Sequence, residues 1–317
     1  MKIRILNIIL FVLFFSFSNG QNLKNGDYFE NIGGLKINYS IRGKGPVMIV
    51  GHLNSGKIGY QATLKPLEDH FTMVYYDPRG TGKSQMPNKL EDYKQDSIVS
   101  EIEYLRRHLN INKIWIFGHS DQSAVALEYA LKYPNNTAGL LLIGTSFVGT
   151  QKESMQRRKN SETKRTKESE WFKQVIKDWD YMIEHKTNKN ELGKDISESP
   201  IKWWCYNEES SQRVIQIVRL ISAAGRRKPI NNVFPIETEK DRLHYLNNQK
   251  KFPSLKVKTL IINGKYDTNN PPEFAKQLQV SLPYSTLILI DKAGHFPWIE
   301  NSDFTFKEIK KWLSKNL

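Results

Sequence analysis

Three residues combine the types and settings that covalent hydrolysis needs. Ser120 lies in Gly118-His119-Ser120-Asp121-Gln122, between the apolar run Lys113–His119 and an alanine-rich stretch. Asp267 closes Asn263-Gly264-Lys265-Tyr266-Asp267, and His295 lies in Ala293-Gly294-His295-Phe296-Pro297-Trp298. A serine hydroxyl is a weak nucleophile at neutral pH, so a neighbouring base must take its proton as it attacks a carbonyl. Histidine can be that base, and a carboxylate behind it fixes the imidazole tautomer and stabilises the imidazolium. A sharp strand-to-helix turn would present the hydroxyl and aim helix N-terminal amides at the developing oxyanion. The backbone N–H of Asp121 is the expected first donor. The second is expected from the loop after Pro46–His52, at Leu53 or Asn54.

These groups can meet only if the right elements carry them. Pro46–His52, Thr72–Asp77, Lys113–His119 and Gly139–Thr145 have the short, continuous apolar character of buried strands, as do Val257–Asn263 and Thr286–Ile290. Between them, Ser97–Leu109, Asp121–Tyr133, Pro272–Val280 and Asp303–Leu313 show helical spacing. Alternating strands and helices imply an α/β fold with a mostly parallel central sheet flanked by helices. Ser120, Asp267 and His295 each follow a strand, at the carboxyl edge where open parallel sheets bind ligands. Near Val148 the strand rhythm stops, and a stretch of about a hundred residues, rich in charges and carrying Trp171, Trp179, Trp203 and Trp204, intervenes before it resumes. The expected organisation is a core of 21–146 and 255–317 interrupted by a helical cap, 147–254.

Four segments carry a resemblance: Gly51-His52, Asp77-Pro78-Arg79-Gly80-Thr81-Gly82-Lys83-Ser84, Gly118-His119-Ser120, and Ala293 through Glu300. Together they resemble the α/β-hydrolase superfamily, and the Asp-x-Arg-Gly-x-Gly-x-Ser segment resembles its proline-iminopeptidase-like branch. The likeness covers Leu35–Ser146 and Lys256 to the C-terminus. It implies a Ser120–Asp267–His295 triad in that chain order. Two positions depart from the pattern. Gln122 stands where the family carries a glycine, and His52-Leu53-Asn54 replaces His-Gly-Gly. In iminopeptidase-like enzymes, cap carboxylates grip the substrate's amino group beside aromatic walls. That makes Trp203, Trp204, Tyr206, Glu208 and Glu209 candidate substrate-binding residues; the other reading is a packed cap helix with an exposed acidic end.

Composition narrows the remaining classes. The 317 residues are 39% hydrophobic and 25% charged, enough for a substantial core. A single cysteine, Cys205, excludes an intrachain disulfide framework and a cysteine-rich zinc site. The net charge is +14, yet the densest basic stretch, Lys152–Lys167, has acids within it and no aromatic to stack on bases. A solvated helix face is expected there, and no nucleic-acid partner. Lys83-Ser84 mimics the end of a phosphate loop, but Asp77 occupies a position where that loop needs glycine. Lys2 and Arg4, the apolar Ile5–Phe17 and small residues at Ser18 and Gly20 have the anatomy of a signal peptide, 1–20, too short for a membrane span.

The expectation is an exported, periplasmic or extracellular serine hydrolase without metal or cofactor. It would cleave a small ester or amide, or a short peptide, through an acyl-enzyme on Ser120. An aminopeptidase of the proline-iminopeptidase type is one alternative. A catalytically silent small-ligand-binding protein on the same fold is another.

Overall fold

The structure is a computed structural model, and it describes residues 23–145, 150–185, 194–225, 227 and 239–317. The expected signal segment, 1–20, lies outside the described residues. Eight strands form one sheet: β1 (Gly26–Ile32), β2 (Leu35–Gly43), β3 (Val47–Val50), β4 (Thr72–Tyr76), β5 (Ile114–His119), β6 (Thr137–Ile143), β7 (Lys258–Gly264) and β8 (Ser285–Ile290). Their spatial order is β1-β2-β4-β3-β5-β6-β7-β8. β1 and β2 pair antiparallel, as do β2 and β4, and every later pair is parallel.

Before β6 come α1 (Ile58–Thr63), α2 (Gln95–His108) and α3 (Gln122–Lys132). Between β6 and β7 lie α4 (Gln151–Glu168), α5 (Glu170–His185), α6 (Lys194–Lys202), α7 (Glu208–Ala224) and α8 (Glu239–Gln249), and α9 (Pro272–Ser281), α10 (Pro297–Glu300) and α11 (Ser302–Asn316) complete the chain. The central strands are apolar at consecutive positions because both faces are covered. Ile49, Val74, Ile116, Leu140 and Ile261 pack under α2, α3 and α9. Their alternates Met48, Met73, Trp115, Phe117, Leu141 and Ile262 pack under α1 and α11. The two faces follow directly from the period of two along each strand.

The six anticipated strands are present, with ends shifted by one or two residues. The antiparallel pair β1–β2 was not anticipated. Much of β1 is exposed at the sheet edge, so it lacks the apolar density of a central strand. Its signal was the turn: Gly33-Gly34, both at positive φ, is a hairpin dipeptide. Among the described residues no helix is long and apolar enough to cross a membrane.

Candidate active site

Because β5 to β8 run parallel, their carboxyl ends share one edge, and the loops that follow deliver the candidate residues there. Ser120 is the single residue between β5 and Asp121, the N-cap of α3. It has φ +54, a left-handed backbone that costs a non-glycine residue about 1–3 kcal/mol. Neighbours over-determine the turn. The Ser120 N–H donates to Ile143 O at 3.0 Å, and the Ser123 N–H donates to Ser120 O at 2.9 Å. Ser123 Oγ also donates to Gly118 O at 3.1 Å. The reward for the strain is position: the hydroxyl stands at the sheet edge, beside the N-terminal amides of α3.

His295 and Asp267 are already joined. Nδ1 lies 2.8 Å from Asp267 Oδ2, with both side chains buried. The other oxygen, Oδ1, accepts the Asn270 N–H at 2.8 Å, which fixes the carboxylate plane. On its far edge, His295 Nε2 faces Asn269 Nδ2 at 3.4 Å. An amide nitrogen only donates, so Nε2 accepts and Nδ1 carries the proton. That is the tautomer a base needs. Gly144, just past β6, lies under this pair at φ +57; a Cβ there would stand 3.1 Å from His295 Nδ1 and 3.4 Å from Asp267 Oδ2. Asn270 Nδ2 holds the Gly144 carbonyl at 2.5 Å. Gly144, Asn269 and Asn270 were missed from sequence. Their only signal was a glycine or a turn-former just past a strand.

Ser120 and His295 line one cavity of about 450 Å³ between core and cap. The Ser120 hydroxyl is not among the hydrogen-bond partners of Nε2, and such contacts commonly tighten only with substrate bound. Two further histidines, His52 and His119, line the cavity in supporting positions. His119 Nε2 meets His295 O at 3.1 Å and so donates, while Nδ1 accepts from Tyr60 Oη at 2.9 Å. Burial holds its imidazole well below the usual histidine range, and lowers that of His52 to about 4. Both are therefore neutral hydrogen-bonding scaffold.

The oxyanion loop corrects one of the two donors expected there. The Leu53 N–H donates to Gln122 Oε1 at 3.3 Å, which turns it from the cavity, and the Leu53 side chain packs toward the α2–α3 face of the sheet. Leu53 does not line the cavity, whereas Asn54 does. The Asn54 N–H donates to His52 Nδ1 at 3.2 Å. Gln122 itself is buried, so a side chain at this position is accommodated by reaching sideways under the loop. The Asp77 motif closes on itself: its carboxylate accepts the Lys57 and Lys83 N–H groups at 2.9 and 3.1 Å.

Of the five cap candidates, only Trp204 lines the cavity, its ring centroid 6.2 Å from that of His295. Its carbonyl accepts the His295 N–H at 2.8 Å, and a Cβ on Gly294 would stand 2.2 Å from that oxygen, so only glycine admits this approach. The other four do not reach the cavity. Trp203 packs inside the cap against Phe172 and Trp179, with Nε1 donating to Glu162 at 2.9 Å. Tyr206 faces Tyr266 at 4.6 Å. Glu208 accepts from Trp171 Nε1 and Gln212, and Glu209 pairs with Arg213 at 2.9 Å on the exposed first turn of α7. Trp203 to Asn207 form the non-helical link between α6 and α7, and residue type alone cannot say which of its side chains faces in.

The basic stretch also departs from expectation. Lys152, Lys159, Lys164 and Lys167 are exposed, but Arg158 and Arg165 face the core. Arg158 Nε donates to Asn269 O at 2.6 Å. Arg165 is buried and donates to Thr268 Oγ1 and Cys205 O at 2.7 Å and to Tyr206 O at 3.0 Å, with its guanidinium 3.8 Å over the Phe172 ring. Burial pushes its pKa down to about 10. Glu300 is a second clamp, accepting the Tyr206 N–H at 2.7 Å and Ser210 Oγ at 3.1 Å from the cap. Away from the cavity, Asp96, Glu128 and His244 each offer one ligand atom, all within 4.8 Å, and Glu128 Oε1 lies 2.9 Å from His244 Nε2.

Residues 47–302 match the family described as the alpha/beta hydrolase fold. A probable proline iminopeptidase of Leptolyngbya boryana is 26% identical over 284 residues, covering 80% of this chain and 81% of that protein. A proline iminopeptidase of Pestalotiopsis fici is 25% identical over 303 residues, covering 90% and 99%. Among solved structures, an alpha/beta fold family hydrolase from Bacillus anthracis superposes with a TM-score of 0.67 at 19% identity, covering 92% of this chain and 99% of that one. With the sheet order, the elbow at Ser120 and this match over most of its length, the chain belongs to the α/β-hydrolase family and is proline-iminopeptidase-like within it.

Proposed function

We propose that this hydrolase is a serine hydrolase that cleaves a small ester or amide through an acyl-enzyme on Ser120. One observation carries the reading: a buried Asp267–His295 pair in the base-competent tautomer, facing the same cavity as a serine held on a strained elbow. Ser120 Oγ attacks the substrate carbonyl while His295 Nε2 takes its proton, and Asp267 stabilises the imidazolium. The Asp121 and Asn54 N–H groups receive the oxyanion, the latter leaving His52 Nδ1 to do so. His295 then protonates the leaving group, and water repeats the sequence on the acyl-enzyme. Export through the segment 1–20 belongs to this proposal.

An aminopeptidase is the second reading, supported by relatives named proline iminopeptidases. It lacks the carboxylates first assigned to it, since Glu208 and Glu209 lie outside the cavity. The test is labelling by a fluorophosphonate, which reacts with a serine activated by a base beside an oxyanion hole. Wild type should label and Ser120→Ala should not. A folded wild type that fails to label would favour the silent ligand-binding alternative.

A further inference from the structure

The cavity wall carries a cation on the side of the base. Arg158 lines the cavity and uses Nε and Nη2 to hold Asn269 O at 2.6 Å and Asn270 Oδ1 at 3.3 Å. Among the described residues, Nη1 has no protein partner and no carboxylate pairs with this guanidinium. The side chain of the same Asn269 faces His295 Nε2. One residue thus joins the free cation to the group that must protonate the leaving atom. The one acid among the described lining residues, Asp121, follows Ser120 and neighbours His52.

We propose that Arg158 recognises a carboxylate on the leaving-group side of the substrate. A leaving group must lie against His295 Nε2, because that nitrogen gives it the proton. A carboxylate attached to it would then face the Arg158 guanidinium, whose planar fork and permanent charge suit that anion. The substrate class is an ester of a hydroxy acid, or a short peptide whose departing residue carries a free carboxyl terminus. The proposal rests on the serine-hydrolase reading and adds a substrate charge to it. It also gives Arg158 a role that a solvated basic face would not.

The test compares 4-acetoxybenzoate with its methyl ester, two acetates whose leaving phenols differ in charge. Wild type should favour the carboxylate in kcat/KM by about tenfold to a hundredfold, the range for a charge-assisted hydrogen bond. Arg158→Met should erase most of that ratio, and Arg158→Lys should retain part of it. The ratio cancels any general damage from loosening Asn269, which both substrates feel equally. A wild type without the preference, or a preference that survives in Arg158→Met, overturns the proposal. If neither ester turns over, the catalytic reading fails, and calorimetry with 4-hydroxybenzoate decides the binding claim. Binding by wild type that weakens at least tenfold in Arg158→Met upholds the carboxylate site; absence of binding rejects it.

Discussion

Restoring the family glycine at position 122 should harm this protein. Gln122 is buried at the start of α3, and its Oε1 is the partner of the Leu53 N–H at 3.3 Å. Removing a partner from an enclosed N–H costs about 1–3 kcal/mol, and glycine in a helix adds up to about 1 kcal/mol. Gln122→Gly should therefore lose about 1–4 kcal/mol, which for a chain of this size lowers the unfolding temperature by about 2–6 °C. Gln122→Met keeps the volume without the acceptor, so it should lose the hydrogen-bond share alone. The rate should fall too, because Leu53 adjoins Asn54, whose N–H is the remaining loop donor. A weakened oxyanion donor costs about tenfold or more in fluorophosphonate labelling. Thermal unfolding followed by circular dichroism, with labelling rates on the same samples, reads both effects. Should Gln122→Gly unfold at or above the wild-type temperature, Gln122 is not a strut and the loop is positioned otherwise.

Gly144→Ala should lower kcat about tenfold to a hundredfold with little change in KM, since its methyl group would displace the His295 ring. Unchanged kinetics would place the histidine elsewhere. Arg165→Met should cost about 2–4 kcal/mol in denaturant unfolding, because three enclosed acceptors lose a charged donor. An equally stable variant would mean that the cap is held by other contacts. The carboxyl of Glu128 is raised to about 7, first by burial and then by Asp96. Its folded value lies above the unfolded one, so its favourable contribution is present below about pH 4.5 and is lost as pH rises through 7. Glu128→Gln should then gain stability over wild type at pH 8 relative to pH 5; a constant difference across that range would refute the shift.

What could be read from the sequence was whatever depends on order along the chain. Strand, elbow and helix around Ser120 are local, so residue pattern alone located them, and Asp267 and His295 followed because each lies a few residues past an apolar run. The oxyanion loop depends on a contact across 69 residues, Leu53 with Gln122, and no local pattern announces it. Trp203 and Trp204 make the same point at the scale of one residue. They share type and neighbourhood, yet the first closes the cap interior and the second touches His295, because successive residues in the link after α6 point to different sides. Glu208 and Glu209 suit the first turn of α7, where acids complement the helix dipole, and that local demand explains them without a substrate.

The basic helix α4 joins these levels. Arg158 and Arg165 are seven residues apart, two turns, so they share one face, and that face meets Thr268, Asn269 and Asn270. The lysines between and around them take the solvent side, which is why the stretch has the composition of an exposed surface. The loop they grip begins at Asp267, the residue that orients His295. Cap position and base orientation are therefore mechanically linked through one helix. A displacement of α4 would shift the substrate's charge-recognising wall and the Asn269 amide at His295 Nε2 together. Arg158→Lys should accordingly alter the carboxylate preference more than the maximal rate on a neutral ester, because it keeps a cation on α4 while Arg165 still anchors the helix. If both fell by the same factor, Arg158 would act only by holding the loop, and substrate charge would have to be read elsewhere in the cavity.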